Sequence, residues 1–138
     1  MTLIIDTSIW LATFRDKSGE VAARIRSVTR DEQIVMALPI RLELLQGCRG
    51  EAEWKGMVVR LGAFETLSMP NALWDDAART YFDLRQVGQT VRSSLDCLIA
   101  IIAIDHDCTL LHNDRDFEKI ATVRPLKQRR LAGLEPGA

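Results

Sequence analysis

Between Asp96 and Asp105 run eight consecutive apolar residues, Cys97 to Ile104. The run is far shorter than the ~18 residues a membrane crossing requires. It also lacks the polar interruptions at every third or fourth position that mark a half-exposed helix. Ser93 and Ser94 are good N-caps, so a helix is predicted from Leu95 to His106, apolar on nearly every side and buried on most of them. Such a helix needs neighbours, and the rest of the chain supplies them.

Short apolar runs alternate with helical patterns along the sequence. Leu3-Ile4-Ile5 reads as a strand that ends at the polar Asp6-Thr7-Ser8, a helix entry. Val21, Ala22, Ile25 and Val28 give a helical face between Ser18 and Arg30. Ile34 to Leu38 is a second strand, stopped by Pro39, which opens a helix carrying Leu42, Glu43, Leu44 and Leu45 as far as Gly47. Ala52 to Leu61 is helical, and Phe64 to Leu67 is a weak third strand. Pro70 opens a long helix with Leu73, Ala77, Tyr81 and Leu84 on one face, closed near Val87 by Gly88. Cys108 to His112 is a fourth strand, Asp114 to Ile120 a short helix, and Lys127 to Arg130 a polar, basic tail. The alternation predicts a three-layer α/β/α sandwich on a mostly parallel sheet of four or five strands, one domain over residues 1–138.

With 47% hydrophobic and 27% charged residues, the chain can bury a core and is not intrinsically disordered. The formal net charge of −1 excludes holding nucleic acid by bulk positive charge, so a phosphate-bearing partner has to be held locally. Cys48, Cys97 and Cys108 form no CxxC pair, and an odd count fits a reducing compartment. The apolar stretch from Met1 to Leu11 contains Asp6 and has no basic flank, unlike a signal peptide. A soluble, cytoplasmic protein with no membrane partner is expected.

Four carboxylates occupy related places in this pattern. Asp6 directly follows the first strand, Glu43 lies in the first turns of the helix after the second, Asp96 heads the buried helix, and Asp114 directly follows the fourth strand. Ligands of open parallel sheets bind at the carboxyl ends of the strands. Four like charges gathered there need a proton or a cation. An all-oxygen set without His or Cys favours Mg²⁺ or Mn²⁺, which supports phosphate chemistry. Simpler roles stand beside this one: Asp6 as a helix cap, Glu43 as a solvated residue, Asp96 as a partner of the helix dipole, and Asp114 or Asp116 as a cap.

The motifs Leu3-Ile4-Ile5-Asp6-Thr7-Ser8, Arg41-Leu42-Glu43-Leu44-Leu45, Ser94-Leu95-Asp96-Cys97-Leu98-Ile99-Ala100 and Asn113-Asp114-Arg115-Asp116-Phe117 together resemble the PIN-domain ribonucleases, specifically the VapC toxins of type II toxin-antitoxin pairs. The resemblance spans nearly the whole chain. It implies a PIN-like fold and a Mg²⁺- or Mn²⁺-dependent endoribonuclease, a homodimer neutralised by a cognate antitoxin. Asp6, Glu43, Asp96 and Asp114 match the family's acidic quartet, with Asp6 and Asp96 as direct metal ligands, and Asp116 matches a further acid. Thr7 or Ser8 matches the polar position that helps place metal or phosphate. His112 departs from the Thr or Ser common at its position.

Among the basic residues, Arg92 flanks the expected cleft and is the candidate for touching RNA. His106, at its helix end, suits a dipole partner. Two other functions compete. A metal-dependent phosphatase or phosphotransfer domain would also place an Asp after its first strand but needs a nearby Lys, and none of Lys17, Lys55, Lys119 and Lys127 directly follows a predicted strand. A non-catalytic binding module with a regulatory cation is the other.

Overall fold

The computed structural model describes residues 1–134. In chain order its elements are β1 (Thr2–Ile5), α1 (Thr7–Arg15), α2 (Glu20–Val28), β2 (Gln33–Met36), α3 (Leu38–Gln46), α4 (Glu51–Leu61), β3 (Glu65–Thr66), α5 (Ala72–Gln86), α6 (Ser94–Asp105), β4 (Thr109–His112), α7 (Arg115–Ile120) and β5 (Gln128–Arg130). The five strands form one sheet in the order β3-β2-β1-β4-β5, every neighbouring pair parallel.

Chain order and sheet order together locate the edge that matters. From β1 the chain steps outward to β2 and then β3, crosses the sheet through α5 and α6 to β4 on the other side of β1, and continues outward to β5. Right-handed crossovers in opposite directions put helices on opposite faces. Accordingly α1 packs on α2 and α3, and α3 on α4, while α5, α6 and α7 pack together; α3 also meets α6 at the sheet edge that carries the acids. The direction reverses between β1 and β4, and that switch point is where the loops diverge and open a crevice. Asp6 N–H donates to Leu111 O at 2.9 Å, so the first acid leaves its strand beside the end of β4.

The buried helix is α6. Cys97 through Ala103 are all buried, with Ile99 and Ile102 fully so. Successive residues of β1 and β4 face opposite layers, as the pleat requires. Ile4 and Leu110 join the larger core with α5 and α6, while Ile5 and Leu111 join a smaller one with Ile9 and Ile25. Ser93 caps α6 by accepting from Leu95 N–H at 3.1 Å. Gly88 ends the α5 segment at φ 78°, a conformation costly for residues with a Cβ.

One expectation is corrected. Lys127 to Arg130 is no free tail, because Gln128–Arg130 is the edge strand β5. Leu110 N–H donates to Lys127 O at 2.9 Å and Leu131 N–H to His112 O at 2.7 Å. Side chains hold it as well: Arg129 reaches Glu32 at 3.1 Å and Arg130 reaches Glu118 at 2.9 Å. A three-residue polar strand carries no apolar alternation, and its pairing comes from partners distant in sequence. The third strand is shorter than expected, Glu65–Thr66, with Leu67 N–H still bonded to Met36 O at 2.9 Å.

Because α6 is packed on all sides, Ile99→Ala is expected to cost roughly 2–5 kcal/mol of unfolding free energy. Urea unfolding of the metal-free protein measures it, and a loss below about 1 kcal/mol would show the site to be loosely packed.

Candidate metal centre

The crevice at the switch point is lined by Asp6, Glu43, Asp96 and Asp114 and measures about 280 Å³. Asp6 is 5% exposed and caps α1, its Oδ2 accepting from Ser8 N–H at 3.1 Å and from the Ser8 hydroxyl at 2.7 Å. One side chain thus both caps α1 and lines the crevice, because a strand ends where a helix begins. The Ser8 hydroxyl also accepts from Asn113 N–H at 3.1 Å, which ties the loops after β1 and β4 together. Thr7 donates to Glu43 Oε1 at 2.9 Å and so fixes the half-buried acid contributed by α3.

Asp96 is the third residue of α6, where its carboxylate meets the positive end of the helix. Asp114 caps α7 by accepting from Asp116 N–H at 2.9 Å. Asp114 is therefore a cap, and both acids of the Asp114-Arg115-Asp116 segment fall in one acidic cluster with Asp96. Carboxylate oxygens of Asp96, Asp114 and Asp116 all lie within 4.8 Å of one another, the spacing of a cation site. Asp6 and Glu43 line the same crevice outside that trio.

The electrostatics follow from the crowding. Burial, then the charges of Asp6, Asp114, Glu43 and Asp116, push the Asp96 carboxyl up to about 7. Burial also raises Asp6, against the Ser8 donors, and Asp114 adds to it. Glu43 is raised by burial, with Asp6 adding and the Thr7 bond opposing. Asp116, 4% exposed, behaves oppositely. Burial would raise it, but Arg92 N–H at 2.9 Å, the Arg92 guanidinium and Lys119 together bring it below the usual carboxylate range. The Arg92 side chain spans Asp114 at 2.7 Å and Asp116 at 3.4 Å, and those charges raise its own pKa.

His112 lies directly behind Asp114. It is fully buried against Phe117. Nδ1 accepts from Asp114 N–H at 3.1 Å, which leaves the proton on Nε2 to donate to Gln128 Oε1 at 2.7 Å. The imidazole thus supports the Asp114 backbone and is itself held by Gln128 of β5. Lys119, 3.4 Å from Asp116, escaped sequence reasoning because its closeness depends on the turn of α7. His106 caps α6 and bonds Ser68 O at 2.8 Å, away from these acids.

The chain matches the PIN domain family model over residues 3–123. It is 34% identical over 128 residues to ribonuclease VapC11 of Mycobacterium tuberculosis, covering 91% of this chain and 96% of that protein. The protein is a VapC-type member of the PIN domain family. Solved structures of VapBC complexes share its fold: VapBC2 of Rickettsia felis, bound to a DNA fragment from its promoter, at a TM-score of 0.76 and 18% identity over 96% of this chain and 100% of that one. VapBC-1 of nontypeable Haemophilus influenzae gives 0.72 and 16%, over 94% and 98%. PIN-domain ribonucleases are metal-dependent enzymes, and this VapC-type chain has an acidic cluster that suits a metal.

The Asp96 shift makes a stability difference with a definite sign. Its folded-state pKa of about 7 lies well above the ordinary carboxylate range, so the folded state binds its proton more tightly. That contribution is complete at acid pH and is lost as pH rises through about 7. In chelator, Asp96→Asn is expected to match wild type near pH 4 and to exceed it at pH 8 by on the order of 2 kcal/mol, the linkage value discounted for partial exposure. Denaturant melts at both pH values measure it, and a pH-independent difference would contradict the assigned burial and crowding.

Proposed function

We propose that this protein is a divalent-metal-dependent endoribonuclease, the toxin of a toxin-antitoxin pair, acting in the cytoplasm. The observation that carries the reading is the convergence of Asp96, Asp114 and Asp116 at the β1/β4 switch point of a chain that is 34% identical to a VapC ribonuclease over most of its length. Among the described residues no helix is long and apolar enough to cross a membrane.

The donor set suits Mg²⁺ or Mn²⁺: oxygens only, three carboxylates in reach of one point, and a crevice with room for waters. When bound, such an ion would withdraw charge from the scissile phosphate and make a water acidic enough to attack it. Asp96, Asp114 and Asp116 would hold the ion. Asp6 and Glu43 give the crevice two further acids, able to orient the water and to take its proton, since burial holds both above the usual carboxylate range. Thr7 and Ser8 keep those two carboxylates in place.

Arg92 occupies the position a cation would contest. Its side chain is 79% exposed, so it is free to leave Asp114 when an ion arrives and to turn its guanidinium toward a phosphate oxygen. The antitoxin would neutralise the protein by covering the acidic crevice, and a homodimer is the expected assembly, as the family resemblance implies.

Purified, antitoxin-free protein is expected to cut structured RNA with Mg²⁺ or Mn²⁺ and to stop on chelation. Asp6→Asn and Asp96→Asn should each lower the rate about 100-fold or more. Gel electrophoresis of the products reads the result. Cleavage that survives chelator or either substitution would sink the metal-carboxylate mechanism, and phosphate release from monoesters with RNA left intact would favour a phosphatase. In cells, expression without antitoxin should slow growth and Asp96→Asn should relieve it.

A further inference from the structure

A second cleft adjoins the acidic one, and the two share Arg92 and Asp114. It measures about 550 Å³, within the roughly 300–1,000 Å³ range of ligand sites. Its charge is the reverse of its neighbour's. Arg92, Arg115, Lys119 and Arg130 face Asp114 and Asp116, a surplus of two positive charges, whereas the acidic crevice sets four acids against Arg92 alone. In a chain of net charge −1, that juxtaposition is local organisation and not bulk composition.

Resting on the ribonuclease reading, we propose that this basic cleft holds the backbone phosphates of the RNA strand that flank the scissile one.

The cations are placed for exchange onto phosphate. Arg115 is exposed and has no ion pair among the described residues. Arg130 pairs with Glu118, itself 47% exposed, and such surface pairs are worth little in water. Arg115 and Lys119 stand four residues apart on α7 and so share a helix face, while Arg130 comes from β5 beside it. A strand whose scissile phosphate lies among the acids has to leave the crevice, and this exit is continuous with it. The groove between α1, α3 and α4 also carries cations, Arg15, Arg49 and Arg60, but it shares no residue with the acidic crevice, and Leu11, Phe14 and Met57 make its walls apolar. An acidic peptide would satisfy the charge as well, but nothing ties a peptide to the end that opens onto the acids.

The test is fluorescence anisotropy of a labelled single-stranded RNA oligonucleotide in chelator, so that no strand is cut, across a range of salt. Log affinity against log salt loses about 0.7 of slope for each phosphate contact removed from a single strand. Arg115→Gln and Arg130→Gln are expected to weaken binding about three- to ten-fold each and to flatten the slope by that amount, with Arg60→Gln unchanged. The proposal is overturned if wild type shows no salt-dependent binding, if the slopes of Arg115→Gln and Arg130→Gln equal wild type, or if the loss appears in Arg60→Gln instead. It is also overturned if both substitutions release a labelled acidic peptide and leave RNA binding intact. The two readings fail separately. Strand binding of the expected kind with no cleavage on adding Mn²⁺ removes the ribonuclease, while metal-dependent cleavage with unchanged slopes removes only the cleft.

Discussion

Five carboxylates, Asp6, Glu43, Asp96, Asp114 and Asp116, are held at one edge of the sheet with Arg92 and Lys119 as the cations among them. Mutual repulsion would scatter them if their supports were soft. Each is therefore anchored by something that cannot easily move: Asp6 and Asp114 by the helices they cap, Glu43 by Thr7, Asp116 by Arg92 N–H, and Asp96 by a helix buried from Cys97 to Ala103. The cost of burying one acid among others shows in Asp96, whose carboxyl is pushed up to about 7 by burial first and by the neighbouring charges after it. A divalent cation would relieve the crowding where it is tightest, among Asp96, Asp114 and Asp116, the cluster that suits a metal.

The sheet topology explains how so few residues assemble the centre. Reversal of direction between β1 and β4 opens the crevice, and α6, the helix that makes the crossing, delivers Asp96 into it from its first turn. The apolar run that demands burial is thus the same element that holds an acid against its own preference for water. Core and site are coupled through α6, because the buried run that anchors the helix also fixes the acid in its first turn.

Much of this was legible in the residues. Short apolar runs ending at Asp6 and near Asp114, the Pro39 helix start and the uninterrupted apolar helix marked the layers, and the acids stood at the strand ends where open sheets bind ligands. Four things were not legible. β5 is polar and three residues long, and only Glu32, Glu118 and His112, all distant in sequence, show why it pairs. The closest trio of acids is a matter of side-chain geometry, and it sets Asp114 and Asp116 with Asp96, where the resemblance pointed first to Asp6. His112, an oddity in sequence, turns out to brace Asp114 through its ring. The basic cleft joins residues of α7, β5 and the loop before α6, and no local pattern announces it.

Diffraction from crystals soaked in Mn²⁺, read at the manganese absorption edge, tests the centre most directly. The expected result is an anomalous peak bonded to Asp96 and Asp114 oxygens at about 2.0–2.3 Å, with the Arg92 guanidinium withdrawn from Asp114. Saturating Mn²⁺ that leaves no peak among these acids, with Arg92 still paired to Asp114, would contradict the account.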